Sequence, residues 1–169
     1  MILQGHGMRV LLPAGWEGRI FQRATPGLAF TPAARAQQGH LAAGGWAGEQ
    51  PKPVLHLADF ALPANRGDFG SGAVDRMGPT NIFVAALEFG SECLGSALFG
   101  SVGLPRLSAV QFDPNALQRR LPNQAGVQIF CTVNSRPICV YAVIGSYGIA
   151  KQQAVRINQL LDQVEVYER

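Results

Sequence analysis

Apolar residues in this chain recur in short runs, several with a period of two, separated by stretches rich in Gly and Pro; a helical period is present only near the C-terminal end. Met8–Leu12 and Glu17–Arg23 read as short strands. The brief Pro13-Ala14-Gly15-Trp16 break between them predicts a hairpin or one bent strand. Val54–Leu62 alternates: Val54, His56, Ala58 and Phe60 share one face, Leu55, Leu57, Asp59 and Ala61 the other, and Pro63 ends the strand. Gly67–Gly72 follows as a turn, with one helical turn expected over 73–77. Asn81–Phe89 is apolar on both faces, the pattern of a central strand covered on both sides. At 112–115, Asp113 as N-cap and Pro114 at the first helical position predict a short helix ending by Pro122, with a turn-containing extended segment as the alternative.

The C-terminal third carries the strongest pattern. Val127–Val133 and Ile138–Ile144 are β-branched strands joined by turn chemistry at Asn134-Ser135-Arg136-Pro137, which predicts a hairpin with Val133 opposite Ile138. Ala150, Ala154, Ile157 and Leu161 then step by four, three and four, so a helix over 149–162 is expected to lie on the sheet. Val164-Glu165-Val166 reads as a last short strand or a helix extension. This order favours an α+β fold, an antiparallel β-sheet covered by helices, over βαβ repeats. The length suits one domain spanning 1–169. Residues 24–53 carry neither period and read as a long loop or insertion.

Composition narrows the class. The 47% apolar and 15% charged residues describe a folded chain. The net charge of +3 rests almost wholly on Arg, with Lys only at 52 and 151, a bias that hints at a GC-rich bacterial genome. The arginines are scattered, so nucleic-acid binding, through Arg106, Arg119, Arg120 and Arg136, ranks third among the functional readings. No apolar run reaches the ~18 residues of a membrane span. Residues 1–7 lack the pattern of a signal peptide. With three cysteines, the expectation is a cytoplasmic, reduced, soluble protein with no membrane partner.

Candidate chemistry is sparse. His6, His40 and His56 stand in no metal-ligand spacing, so neither a metal nor a cofactor is expected. Cys131 and Cys139 lie in strands. The expected register puts Cys131 opposite Val140 and Cys139 opposite Thr132, with the sulfurs on opposite faces. Cys93, in a loop, is the candidate reactive thiol. Asp68-Phe69-Gly70 lacks the companions of a kinase or phosphate loop and reads as a tight turn. Asp59, Asp68, Asp75 and Glu88 are candidate carboxylates for acid–base work, with nothing in the pattern to rank them above salt-bridging surface groups. Trp16, beside a turn, could cap one end of the core. Trp46, in the long loop, could anchor a partner, and Phe69 could add an exposed apolar contact.

Met8-Arg9-Val10-Leu11-Leu12-Pro13-Ala14-Gly15-Trp16 resembles the opening strand of the PsbP-like family, which takes in photosystem extrinsic proteins, Ran-binding Mog proteins and LpqN-type lipoproteins. The closing hairpin strand, Gly145 and a helix ending in Ile157-Asn158-Gln159-Leu160-Leu161 are similar as well. The Arg76-Met77-Gly78-Pro79 turn is similar to one in a group of actinobacterial-type proteins that brings no function with it. The family resemblance implies an α/β/α sandwich and a binding or assembly role.

The first functional expectation is therefore a non-enzymatic module for an unknown protein partner or for homo-oligomerisation, with Trp46, Phe69 and Trp16 as binding residues. The alternative is a small-molecule binder or an enzyme whose pocket would gather groups such as Asp59, Glu88 and Tyr141.

Overall fold

The computed structural model describes residues 1–23 and 51–168. Its strands are β1 (Ile2–Gly5), β2 (Met8–Leu11), β3 (Glu17–Gln22), β4 (Pro53–Ala58), β5 (Ile82–Glu88), β6 (Ala125–Val133), β7 (Arg136–Ile144) and β8 (Val164–Val166). Its α-helices are the four-residue α1 (Ser71–Val74) and the twelve-residue α2 (Ala150–Leu161). The strands form two antiparallel sheets, a small one in the order β1-β2-β8 and a large one in the order β3-β4-β5-β7-β6.

The large sheet is buried on both faces, which is why β4, β5 and β7 lack polar alternation and are inaccessible along their whole length. On one face Leu55, Leu57, Ile82, Val84, Ile138, Val140, Ala142 and Ile144 meet α2 and the inner face of the small sheet, Met8, Val10, Val164 and Val166. The helix stripe read from the sequence is the buried one: Ala150, Ala154, Ile157 and Leu161 all face inward. Gln153 joins them, fully covered, donating to the Asn81 carbonyl at 3.0 Å. On the other face Val54, Ala58, Phe83, Ala85, Leu87, Tyr141 and Val143 are roofed by α1 and by side chains from 60–77 and 117–121. One long helix thus covers one face, while short elements cover the other.

Several local expectations change. Residues 8–12 and 17–23 do not pair as a hairpin, because β2 and β3 belong to different sheets; β2 is claimed by β1 and β8. The N-terminal residues, to which no element was assigned from sequence, form β1, and His6 and Gly7 make the turn to β2 with positive φ (50° and 76°) at both centres. The β6–β7 turn is two residues rather than four: Asn134 (φ 46°) and Ser135 (φ 59°) bring Val133 opposite Arg136. Pro137 can sit inside this ladder because its partner Thr132 turns its own N–H outward to the Ser101 carbonyl at 2.7 Å. Cys131 then faces Ile138 and Cys139 faces Phe130, a shift of two that keeps the sulfurs on opposite faces, and both thiols are free. The 54–62 strand stops at Ala58, where the Asp59 carboxylate accepts the Ile82 N–H at 2.8 Å. At 114–116 a single 3₁₀ turn stands where a short helix was expected, capped by the Asp113 side chain on the Asn115 N–H at 2.8 Å. Pro53 already belongs to β4, and residues 24–50 of the expected 24–53 loop lie outside the described residues.

The small sheet is fastened to the large one by Arg136. Its guanidinium is 2% accessible and forms an ion pair with Glu88. It also donates to the Gly7 carbonyl at 2.6 Å, the His6 carbonyl at 2.9 Å and the Tyr167 carbonyl at 3.2 Å. Among the described residues no helix is long and apolar enough to cross a membrane.

Candidate functional site

The second face of the large sheet carries a more enclosed concavity than the larger, more open groove of about 450 Å³ beside Leu104, Val133, Leu161 and Val164. Period-two alternation aims Phe83 of β5 and Tyr141 of β7 at this face, and the 59–77 segment folds back over them. That return requires glycine at 70. Its φ is +75°, and a Cβ there would stand 2.0 Å from the Phe83 ring. With the backbone so close, Phe69 reaches Tyr141 edge-on, at a centroid distance of 5.9 Å.

Leu117 and Leu121 approach from the irregular stretch that follows the 114–116 turn, on the other side. Together with Phe69, Ser71, Val74 and Tyr141 they enclose a cleft of about 270 Å³. At its mouth Arg119 forms an exposed ion pair with Asp75. Burial raises the Tyr141 phenol above its usual pKa, against the opposing effect of the Gln118 backbone, so Tyr141 stays protonated at neutral pH. The lining therefore offers apolar and aromatic contact, one neutral phenol, one hydroxyl and a charge pair of both signs.

The wall that carries Phe69 is latched to the sheet by His56. This residue is fully buried between Phe21 and Phe83, whose rings stand edge-on at 5.0 and 5.1 Å. Arg66 Nε donates to His56 Nδ1 at 2.9 Å, which leaves the proton on Nε2, and Nε2–H donates to the Asp68 carbonyl at 2.6 Å. Burial lowers the imidazole pKa to about 4, the Asp68 bond opposing and the Arg66 charge adding to the effect. Arg66 also donates to the Pro63 carbonyl at 2.8 Å, and the Glu17 carboxylate accepts the Leu62 N–H at 3.0 Å.

The residues singled out from sequence do not gather in one place. Phe69 lines the cleft. Trp16 is half-buried against the other core, beneath Arg156 at 5.7 Å, and Arg156 in turn bonds Asp59 at 2.8 Å. Trp46 and His40 lie outside the described residues. Asp59, Glu88 and Tyr141 do not converge: Asp59 pairs with Arg156, Glu88 with Arg136 at the far end of β5, and Tyr141 faces the opposite side of the sheet. Of the four arginines considered for nucleic acid, Arg136 is buried, and Arg106 and Arg119 are paired with Asp162 and Asp75. Among the described residues no group of three or more His, Cys, Asp or Glu side chains could hold a metal ion.

Leu117 and Leu121 carried no signal in the sequence, because they sit in an irregular segment. Comparison with protein-family models, with curated proteins and with solved structures finds no match. The resemblance to the PsbP-like family rests on the quoted residues alone.

Proposed function

We propose that this chain is a non-catalytic protein-binding module and that the Phe69–Tyr141 cleft receives an apolar side chain of its partner. The observation that carries the reading is the cleft itself. It is an aromatic-walled concavity of about 270 Å³ on the outside of a covered sheet, below the roughly 300–1,000 Å³ of small-molecule sites but ample for one large anchoring side chain. The exposed Asp75–Arg119 pair at the mouth suits a polar rim, where charge sets orientation more than affinity. The family the chain resembles consists mostly of binding and assembly proteins, which points the same way.

The test uses a displayed library of random peptides panned on the full chain and on Leu121→Asp. Enriched sequences are expected to share one aromatic or leucine anchor and to be lost on the variant. A homodimer seen by light scattering and abolished by Leu121→Asp supports the self-association form of the same reading. A monomer that enriches no sequence, or enriches the same sequences with and without Leu121, overturns it.

A further inference from the structure

We propose that His56 is the positioning residue of this cleft, and that protonating it lifts the Arg66–Phe69 segment and lowers occupancy of the cleft. The inference rests on the cleft being a binding site and adds its regulation.

The geometry leaves His56 one compatible charge state. Nδ1 must accept from Arg66, and Nε2 must carry the proton given to the Asp68 carbonyl. A second proton would sit on Nδ1 and meet the Arg66 Nε–H, donor against donor and cation beside cation. The surroundings offer little compensation. Arg66 and Asp68 reach the ring from the overlying segment, and Asp68 does so through its carbonyl. β3 presents Arg19 as the register partner of His56, with Phe21 beside it and Glu17 further along, its carboxylate bonded to the Leu62 N–H. β5 presents Phe83 and Ala85. A charged imidazole in that box must be hydrated, and the covering segment is what stands between it and water. A second proton takes away the Nδ1 acceptor and with it the Arg66 bond, while Nε2–H still faces the Asp68 carbonyl; Arg66 lies three residues before Phe69 on the covering segment, so its release moves the cleft wall.

The protein carrying 4-fluorophenylalanine at position 69 is titrated from pH 7 downward. The fluorine resonance, the His56 Cε1–H shift and the backbone amides of α2 are followed in the same samples. The fluorine and His56 signals are expected to move together with a midpoint near pH 4, while the α2 amides hold their positions. In His56→Gln, which keeps a donor toward Asp68 but has nothing to titrate, the fluorine signal is expected to stay still. p-Cresol serves as a stand-in for an aromatic anchor. Its apparent affinity is expected to be about two-fold weaker at the midpoint, where half the molecules are competent, and weaker still below it.

A fluorine signal that stays fixed while His56 titrates overturns the inference. So does one that moves only with the α2 amides, or one that moves equally in His56→Gln. Absence of cresol binding at pH 7 counts instead against the cleft as an anchor site, and the fluorine titration still decides whether the latch exists.

Discussion

Replacing Arg136 with Met tests how the two sheets are held together. The substitution keeps an unbranched apolar stem in the buried space but removes the ion pair with Glu88 and the bonds to the carbonyls of His6, Gly7 and Tyr167. Breaking a buried ion pair by removing one partner costs about 3–5 kcal/mol, a large share of the roughly 5–15 kcal/mol that holds a domain folded. With a urea m-value near the middle of the usual 1–3 kcal/mol/M, the midpoint should fall by roughly 2 M. The loss should be greatest where Arg136 reaches across, so amide exchange at Tyr167, whose N–H bonds the Gly7 carbonyl at 2.8 Å, should accelerate more than exchange in β5. Adding Glu88→Leu should restore much of the stability, because well-packed apolar replacements of buried pairs are often neutral or stabilising. A loss below about 1 kcal/mol, with unchanged exchange at Tyr167, would refute the view that this guanidinium fastens the small sheet.

Three further outcomes follow from the same structure. His56 titrates near 4 in the folded chain against an ordinary 6.5, so between those values the unfolded chain binds more protons. Stability should be intact above about pH 6.5 and fall by about 3 kcal/mol as pH drops through 4, with the His56 share of that slope missing in His56→Gln when unfolding is compared at the two ends. Gly145→Ala would place a Cβ 2.0 Å from the Gly78 carbonyl oxygen, which should cost about 1–3 kcal/mol, visible as a lowered Tm. Burial pushes the Cys131 and Cys139 thiols up to about 11, so alkylation at pH 8 should modify the half-exposed Cys93 in the native protein and reach the other two only on unfolding; early labelling of Cys131 would contradict the packing of β6.

The parts of the fold legible in the sequence were those where one periodicity acts alone. The α2 stripe and the apolar β5 and β7 were read correctly because burial on one side or both leaves a direct imprint on residue type. Pairing partners were less legible. Nothing local in Met8–Leu12 says that its neighbours are residues 2–5 and 164–166 rather than 17–23, since strand pairing depends on the whole chain. The turn is two residues shorter than its composition suggests, because Arg136 and Pro137, turn-like by residue type, belong to the β7 ladder, where the outward-turned Thr132 accommodates the proline. Arg136 reads from sequence as a turn residue and a candidate nucleic-acid contact, and its burial depends on Glu88 forty-eight residues away. Of the cleft, Phe69 was visible as an apolar residue in a glycine turn. Leu117, Leu121 and the His56 latch were not, because tertiary proximity alone assembles them.

The pairing of β2 with β8 has a consequence for how the chain reaches this state. Arg9 and Glu165 are 156 positions apart yet lie side by side, so the smaller sheet closes a loop that spans nearly the whole described chain. Loop-closure entropy and topology make such a contact slow to form. During synthesis β2 must wait beside β1 with one edge bare until residues 164–166 have left the ribosome. Any shortening that removes 164–166 would make that exposure permanent and invite edge-to-edge aggregation.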